Sequence, residues 1–132
     1  MMLVKTRLQV SPVHGLGLFA DEDIEEGTVL WVYHEGFDRM VDLAALDTLP
    51  EPAKAQLLHY GYVSMRTGQL VLCMDDGRYF NHADDPNTGD AEHEHPEGAT
   101  VARRRILRGE ELYCNYLEED GDGRRKLGLS VS

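Results

Sequence analysis

Helical spacing occurs only in the middle of this chain, and the residues on either side are arranged as short β-type runs. That layout restricts the fold more than any other feature. Residues 42–49 repeat apolar positions at helical intervals, and 51–59 read as a second short helix, with Pro52 in its first turn and Gly61 beyond its end. Before this insert, residues 3–10 alternate apolar and polar, and 28–34 (Thr-Val-Leu-Trp-Val-Tyr-His) are β-branched and aromatic. After it, 70–74 form a short apolar run ahead of Asp75-Asp76-Gly77, while 100–106 and 111–116 read as strands joined by a turn at Arg108-Gly109. Residues 84–98 carry Asp, Glu, Gly, Pro and His without an apolar period and read as loop. The pattern predicts a mostly β fold with one small helical insert over about residues 42–60.

A chain of 132 residues can bury one core but not two, so a single domain over 1–132 is expected. No window holds the roughly eighteen apolar residues of a membrane span, and the first residues lack a signal-peptide apolar core, so a cytoplasmic protein without membrane contact is expected. Cys73 and Cys114 sit in apolar runs and read as buried free thiols. The formal charge of −11, from 24 acidic against 13 basic residues, argues against direct nucleic-acid binding, which needs clustered Lys and Arg for phosphate contacts. The basic clusters, 103–108 and 124–126, are short and flanked by acids and read as solvated surface. A negative field instead favours a Lys/Arg-rich protein partner.

Gly15-Leu16-Gly17-Leu18-Phe19-Ala20 follows a strand and matches the dinucleotide fingerprint G-x-G-x-x-A as a string. Its context rejects a nicotinamide enzyme. A Rossmann crossover opens a helix at the second glycine, yet 21–27 is one short acidic turn before the next strand. On its own the loop is a tight turn between strands.

Two further segments carry chemistry. Arg78-Tyr79-Phe80-Asn81-His82-Ala83-Asp84-Asp85-Pro86-Asn87 is followed some twenty residues later by Gly109-Glu110-Glu111-Leu112-Tyr113-Cys114-Asn115-Tyr116. With the glycine loop ahead of them, from Val10 to about Tyr116, they resemble the SET-domain signature, whose halves are written R-F-x-N-H-S-C-x-P-N and G-E-E-L-x-x-D-Y. The resemblance implies several small curved sheets, a helical insert and a C-terminal segment threaded through a loop, an exception to the unknotted rule. It implies a protein-lysine N-methyltransferase that uses S-adenosylmethionine. Gly15, Leu16 and Gly17 would approach the cofactor's methionine portion, and Asn81 and His82 would bind its amino-acid and adenine ends. Tyr116 would be the catalytic tyrosine, with Tyr33 and Cys114 lining the lysine channel. Arg78 and Phe80 would fix their segment, and Pro86-Asn87 would shape the threaded loop.

The chain departs from that pattern in three places. Asp84 replaces the cysteine that joins a C-terminal cysteine cluster in binding zinc, and the cluster is missing too, so no zinc is expected; His93-Glu94-His95 lacks further ligands at suitable spacing and reads as exposed acidic loop. Asn115 replaces the Asp before the tyrosine. Cys114 stands where relatives carry Phe or Tyr and implies a roomier site. The acidic tail, 117–132, has no aromatic residue to close the channel, a task left to a homodimer partner or to a rearranged tail with Leu127 and Leu129. The alternative function is a catalytically weak SET fold that binds a basic peptide or the cofactor.

Overall fold

A computed structural model describes residues 1–130. Val131 and Ser132, the end of the expected acidic tail, lie outside the described residues. Strands β1 (Thr6–Val10) and β2 (Leu16–Ala20) form an antiparallel hairpin, and β3 (Val29–Val32) follows without an intervening helix. The span that would have held a Rossmann helix carries only a bridge between Ile24 and Ile106. Next come β4 (Arg39–Val41), α1 (Leu43–Leu46), α2 (Glu51–Tyr60), β5 (Tyr62–Val63) and β6 (Leu70–Leu72). One turn of 3-10 helix over Asp76–Tyr79 leads into β7 (Asn81–His82), β8 (Thr88–Ala91), β9 (Ala99–Ala102) and β10 (Tyr113–Cys114), and α3 (Tyr116–Glu119) and α4 (Gly123–Lys126) close the described chain. The strands make four small sheets: β1-β2, β10-β7, β3-β9-β8 and β4-β6-β5. The fold is mostly β with little helix, as expected.

The core is split in two. Leu18, Ile24, Leu30, Ile106 and Leu112 form one buried cluster, and Trp31, Tyr33, Val71 and Cys73 form another, with Met2 packed against both. Leu18 in β2 and Leu30 in β3 have no exposure at all, the burial that drives such small sheets together.

Three sequence expectations need correction. Helix α1 covers only 43–46 of the expected 42–49, because the Asp47 N–H turns back to the Ala45 carbonyl as Pro50 approaches. Within the expected loop 84–98, residues 88–91 are strand β8, paired along its whole length with β9. Thr-Gly-Asp-Ala has no apolar alternation to announce a strand, and Gly89 leaves the space that the Arg103 guanidinium occupies. The expected strand 111–116 also shortens: Tyr113–Cys114 alone pair as β10, and Tyr116 opens the short helix α3.

Gly98, ahead of β9, has φ +78°, and a Cβ on it would lie 2.7 Å from the Ala91 carbonyl oxygen. Gly98→Ala therefore combines left-handed strain with a backbone collision. It is expected to destabilise the chain by about 2 kcal/mol, read by urea denaturation, with an unchanged midpoint as the contrary result.

Candidate active site

Glu111 organises the middle of the molecule, although it lies in no regular element. It is 6% exposed. Its carboxylate accepts Ser11 Oγ at 2.8 Å, Asn81 Nδ2 at 2.8 Å and the Tyr113 hydroxyl at 3.0 Å. The Asn81 amide also donates to the His14 and Leu16 carbonyls at 3.1 and 3.2 Å, which ties the glycine loop to β7. The two glycines of that loop serve different needs. Gly15 has φ +48° and open space at its Cβ position, whereas a Cβ on Gly17 would collide with the Glu111 carboxylate, its Cδ only 2.8 Å away.

The C-terminal segment passes between two others. β10 runs parallel to β7, and Ala83 N–H donates to the Cys114 carbonyl at 3.0 Å. From the opposite side Asn87, 1% exposed, donates to the Glu111 carbonyl and accepts from Tyr113 N–H, and the Thr88 hydroxyl donates to the Tyr113 carbonyl. A short, fully paired segment held on both flanks has little freedom, so the residue that follows, Tyr116, is placed by backbone contacts. Its N–H donates to His82 Nδ1 at 3.1 Å, which leaves the proton of the neutral ring on Nε2, 2.8 Å from Asp84. The Tyr116 hydroxyl donates to the Phe80 carbonyl at 2.6 Å, and burial raises its pKa.

Tyr116 lines a cavity of about 170 Å³, with Trp31, Tyr62, Phe80, Cys114 and Glu119 among its other walls. The acids Asp90, Glu97, Glu118 and Asp120 add negative charge. The tail forms one side: Asp120 accepts Val63 N–H at 2.9 Å and Lys126 Nζ at 2.7 Å, while Lys126 also donates to the Gly61 carbonyl. A Cβ on Gly123 would meet the Tyr116 carbonyl group, which explains a glycine where the tail turns back. Helices α3 and α4 of the same chain thus form one wall of this cavity. Leu127 is half-buried and Leu129 exposed.

Of the residues expected at the site, Tyr116 and Cys114 line the cavity; Gly15, Leu16, Gly17, Asn81 and His82 do not. These five form an adjoining unit, coupled to the cavity through the His82 ring, whose centroid is 5.4 Å from that of Tyr116. Tyr33 is absent from the cavity wall: it is 7% exposed and packs on His95 at 4.8 Å. His95, expected in exposed loop, is half-buried there and accepts Glu97 N–H at Nδ1. Among the described residues no three His, Cys, Asp or Glu side chains are grouped to hold a metal ion. Arg78 lies over the Tyr60 ring at 5.4 Å and fixes the end of α2 against its own segment. Burial pushes the Cys73 thiol up to about 12, and burial with Glu119 raises Cys114. The arginines of 103–108 all face carboxylates: Arg103 pairs with Glu118, Arg104 with Glu110, Arg105 with Asp23 and Glu25, and Arg108 with Asp21.

Residues 15–117 match the model of the SET-domain family. The chain belongs to the SET-domain family. A search of the curated proteins gives no significant match. Among solved structures, it is similar to a candidate histone methyltransferase of Plasmodium falciparum, at 21% identity and TM-score 0.60, over 87% of this chain and 95% of that one. It is also similar to the Chaetomium thermophilum Polycomb Repressive Complex 2 bound to GSK126, at 24% identity and TM-score 0.68, over 95% of this chain and 17% of that one. The same complex in an autoinhibited conformation bound to S-adenosylmethionine matches at 25% identity and TM-score 0.63, over 95% of this chain and 16% of that one. This SET chain spans about a sixth of those polycomb chains. No helix among the described residues is long and apolar enough to cross a membrane.

Sequence reasoning missed Glu111 and Glu119. The first was visible only as a letter of the family motif, and nothing in its neighbours announced burial. The second had a signal, the Tyr-x-x-Glu spacing of Tyr116 and Glu119, but that spacing has meaning only once 116–119 is a helix.

Proposed function

We propose that this chain is a protein-lysine N-methyltransferase that uses S-adenosylmethionine and acts on Lys/Arg-rich protein segments. The supporting observation is a family tyrosine, Tyr116, in the wall of a cavity that also carries Asp90, Glu118 and Asp120. The residues present fit the cofactor: space is open at Gly15, Leu16 is 44% exposed, and His82 is half-buried beside Asn81. Gly15, Leu16, Gly17, Asn81 and His82 would hold it. S-adenosylmethionine supplies a methyl carbon on a cationic sulfur, open to in-line displacement by an amine.

The chain's part is positioning and charge. The Phe80 carbonyl accepts the Tyr116 O–H hydrogen bond, so the phenol oxygen presents its lone pairs as acceptors for the amine N–H groups. Holding the nucleophile in line in this way supplies much of the rate. Cys114, smaller than an aromatic residue, leaves room in the wall for an amine that already carries a methyl group.

Radiolabelled methyl transfer to a histone-like basic protein and to a neutral lysine peptide tests the reading. Transfer should favour the basic protein and fall on the order of tenfold between about 0.05 and 0.5 M salt, since screening shortens the reach of the acidic surface, while cofactor affinity changes little. Cofactor binding without transfer to either substrate favours the binding module instead.

A further inference from the structure

Helix α3 carries a second functional group on the face that presents Tyr116. Tyr116 and Glu119 are three residues apart, hence neighbours on the helix surface, and both line the cavity. Of the five carboxylates there, four are engaged. Asp90 pairs with Arg66, Glu118 with Arg103 and Asp120 with Lys126, and Glu97 accepts the Tyr62 and Ser64 hydroxyls at 2.7 Å each. Glu119 alone has neither an ion pair nor a hydroxyl donor among the described residues. Its neighbour is the weakly donating Cys114 thiol, and the buried indole N–H of Trp31, on the same cavity, has no partner.

We propose that Glu119 takes the proton from the substrate lysine ammonium, a catalytic role that rests on the methyltransferase reading above. A lysine arrives as an ammonium and cannot attack until it loses a proton. One N–H proton passes to the Glu119 carboxylate, leaving a neutral amine. The nitrogen lone pair then forms the N–C bond as the C–S bond breaks, its electron pair staying on sulfur as a thioether. The product is a methylated ammonium, and Glu119 releases its proton to water before the next turnover.

The surroundings suit that task. Burial and the nearby charge of Asp90 push the Glu119 carboxyl up to about 7, against the opposing pull of Cys114, Arg103 and the Asn115 backbone. The Tyr62 hydroxyl of β5, on the same cavity, donates to Glu97, and the Lys126 ammonium is held by Asp120. A carboxyl raised from its ordinary range toward neutral pH accepts a proton more readily than an exposed one, which suits a general base.

The test is a pH profile of methyl transfer to a lysine peptide, for the wild type and for Glu119→Gln and Glu119→Asp. Free lysine titrates near about 10.4, so without a base the rate should climb roughly tenfold per pH unit up to that value. The wild type should level off near neutral pH. Glu119→Gln should lose about 10²-fold in kcat at pH 7.5, recover it as pH approaches 10, and keep its KM and cofactor affinity. Glu119→Asp should restore part of the rate. A wild-type profile that climbs unbroken to about pH 10, parallel profiles, or a change in KM alone would overturn the role while the methyltransferase reading stands. A wild type that transfers no methyl group at any pH removes that reading, and this role with it.

Discussion

Glu111→Ala is expected to cost about 3 to 5 kcal/mol of stability, a large share of the 5 to 15 kcal/mol that holds a domain together. The side chain lost is small, but its three donors, Ser11, Asn81 and Tyr113, would be left facing one another in a site closed to water. Thermal unfolding should show the midpoint lowered by about 10 °C or more, given the usual entropy of unfolding at this chain length. Glu111→Gln keeps one acceptor and should cost less. The site should also show coupling. Gly17→Ala is barred by the Glu111 carboxylate, so in the Glu111→Ala background its penalty should shrink markedly. Additive losses in that double-mutant cycle, or a midpoint within a few degrees of wild type for Glu111→Ala, would show that the carboxylate does not hold the glycine loop to β7.

Tyr116→Phe is expected to lower methyl transfer by about 10²-fold or more, the usual penalty for letting a reacting group drift by an ångström. Affinity for S-adenosylmethionine should stay near that of the wild type, because the hydroxyl donates to the Phe80 carbonyl and makes no bond to Asn81 or to Gly15–Gly17. Stability should fall by about 0.5 to 1.5 kcal/mol, since that carbonyl loses its donor. The separation of effects is the diagnostic: single-turnover methyl transfer collapses while calorimetric cofactor binding and the melting curve move little. Turnover at the wild-type level would remove Tyr116 from the chemistry.

Legibility followed the physical range of each signal. The β1, β3 and α2 segments were plain in the sequence because alternation, β-branched aromatics and a proline-opened helix are local patterns. Strand β8 was hidden, since its hydrogen bonds come from β9 and its glycine answers to Arg103, eight residues or more away along the chain. The surroundings of Tyr33 were hidden for a related reason. Tyr33 follows the end of β3 and is buried against the His95 ring, a partner that no local pattern names.

The sequence by itself determined the family, the mostly β class, the helical insert and the identity of Tyr116 as the tyrosine closing the motif. Those rest on short strings whose residue types and spacing are constrained over a few positions. Only the tertiary structure decided that Glu111 is buried as a common acceptor, that Gly17 makes room for that carboxylate, and that the acidic tail folds back through Asp120 and Lys126 as a cavity wall. It also left Glu119 beside Tyr116 without an ion pair while the cavity's other acids found cations or hydroxyls. Burial and pairing of a charge depend on what the chain brings to it from tens of residues away, and a one-dimensional pattern carries no record of that meeting.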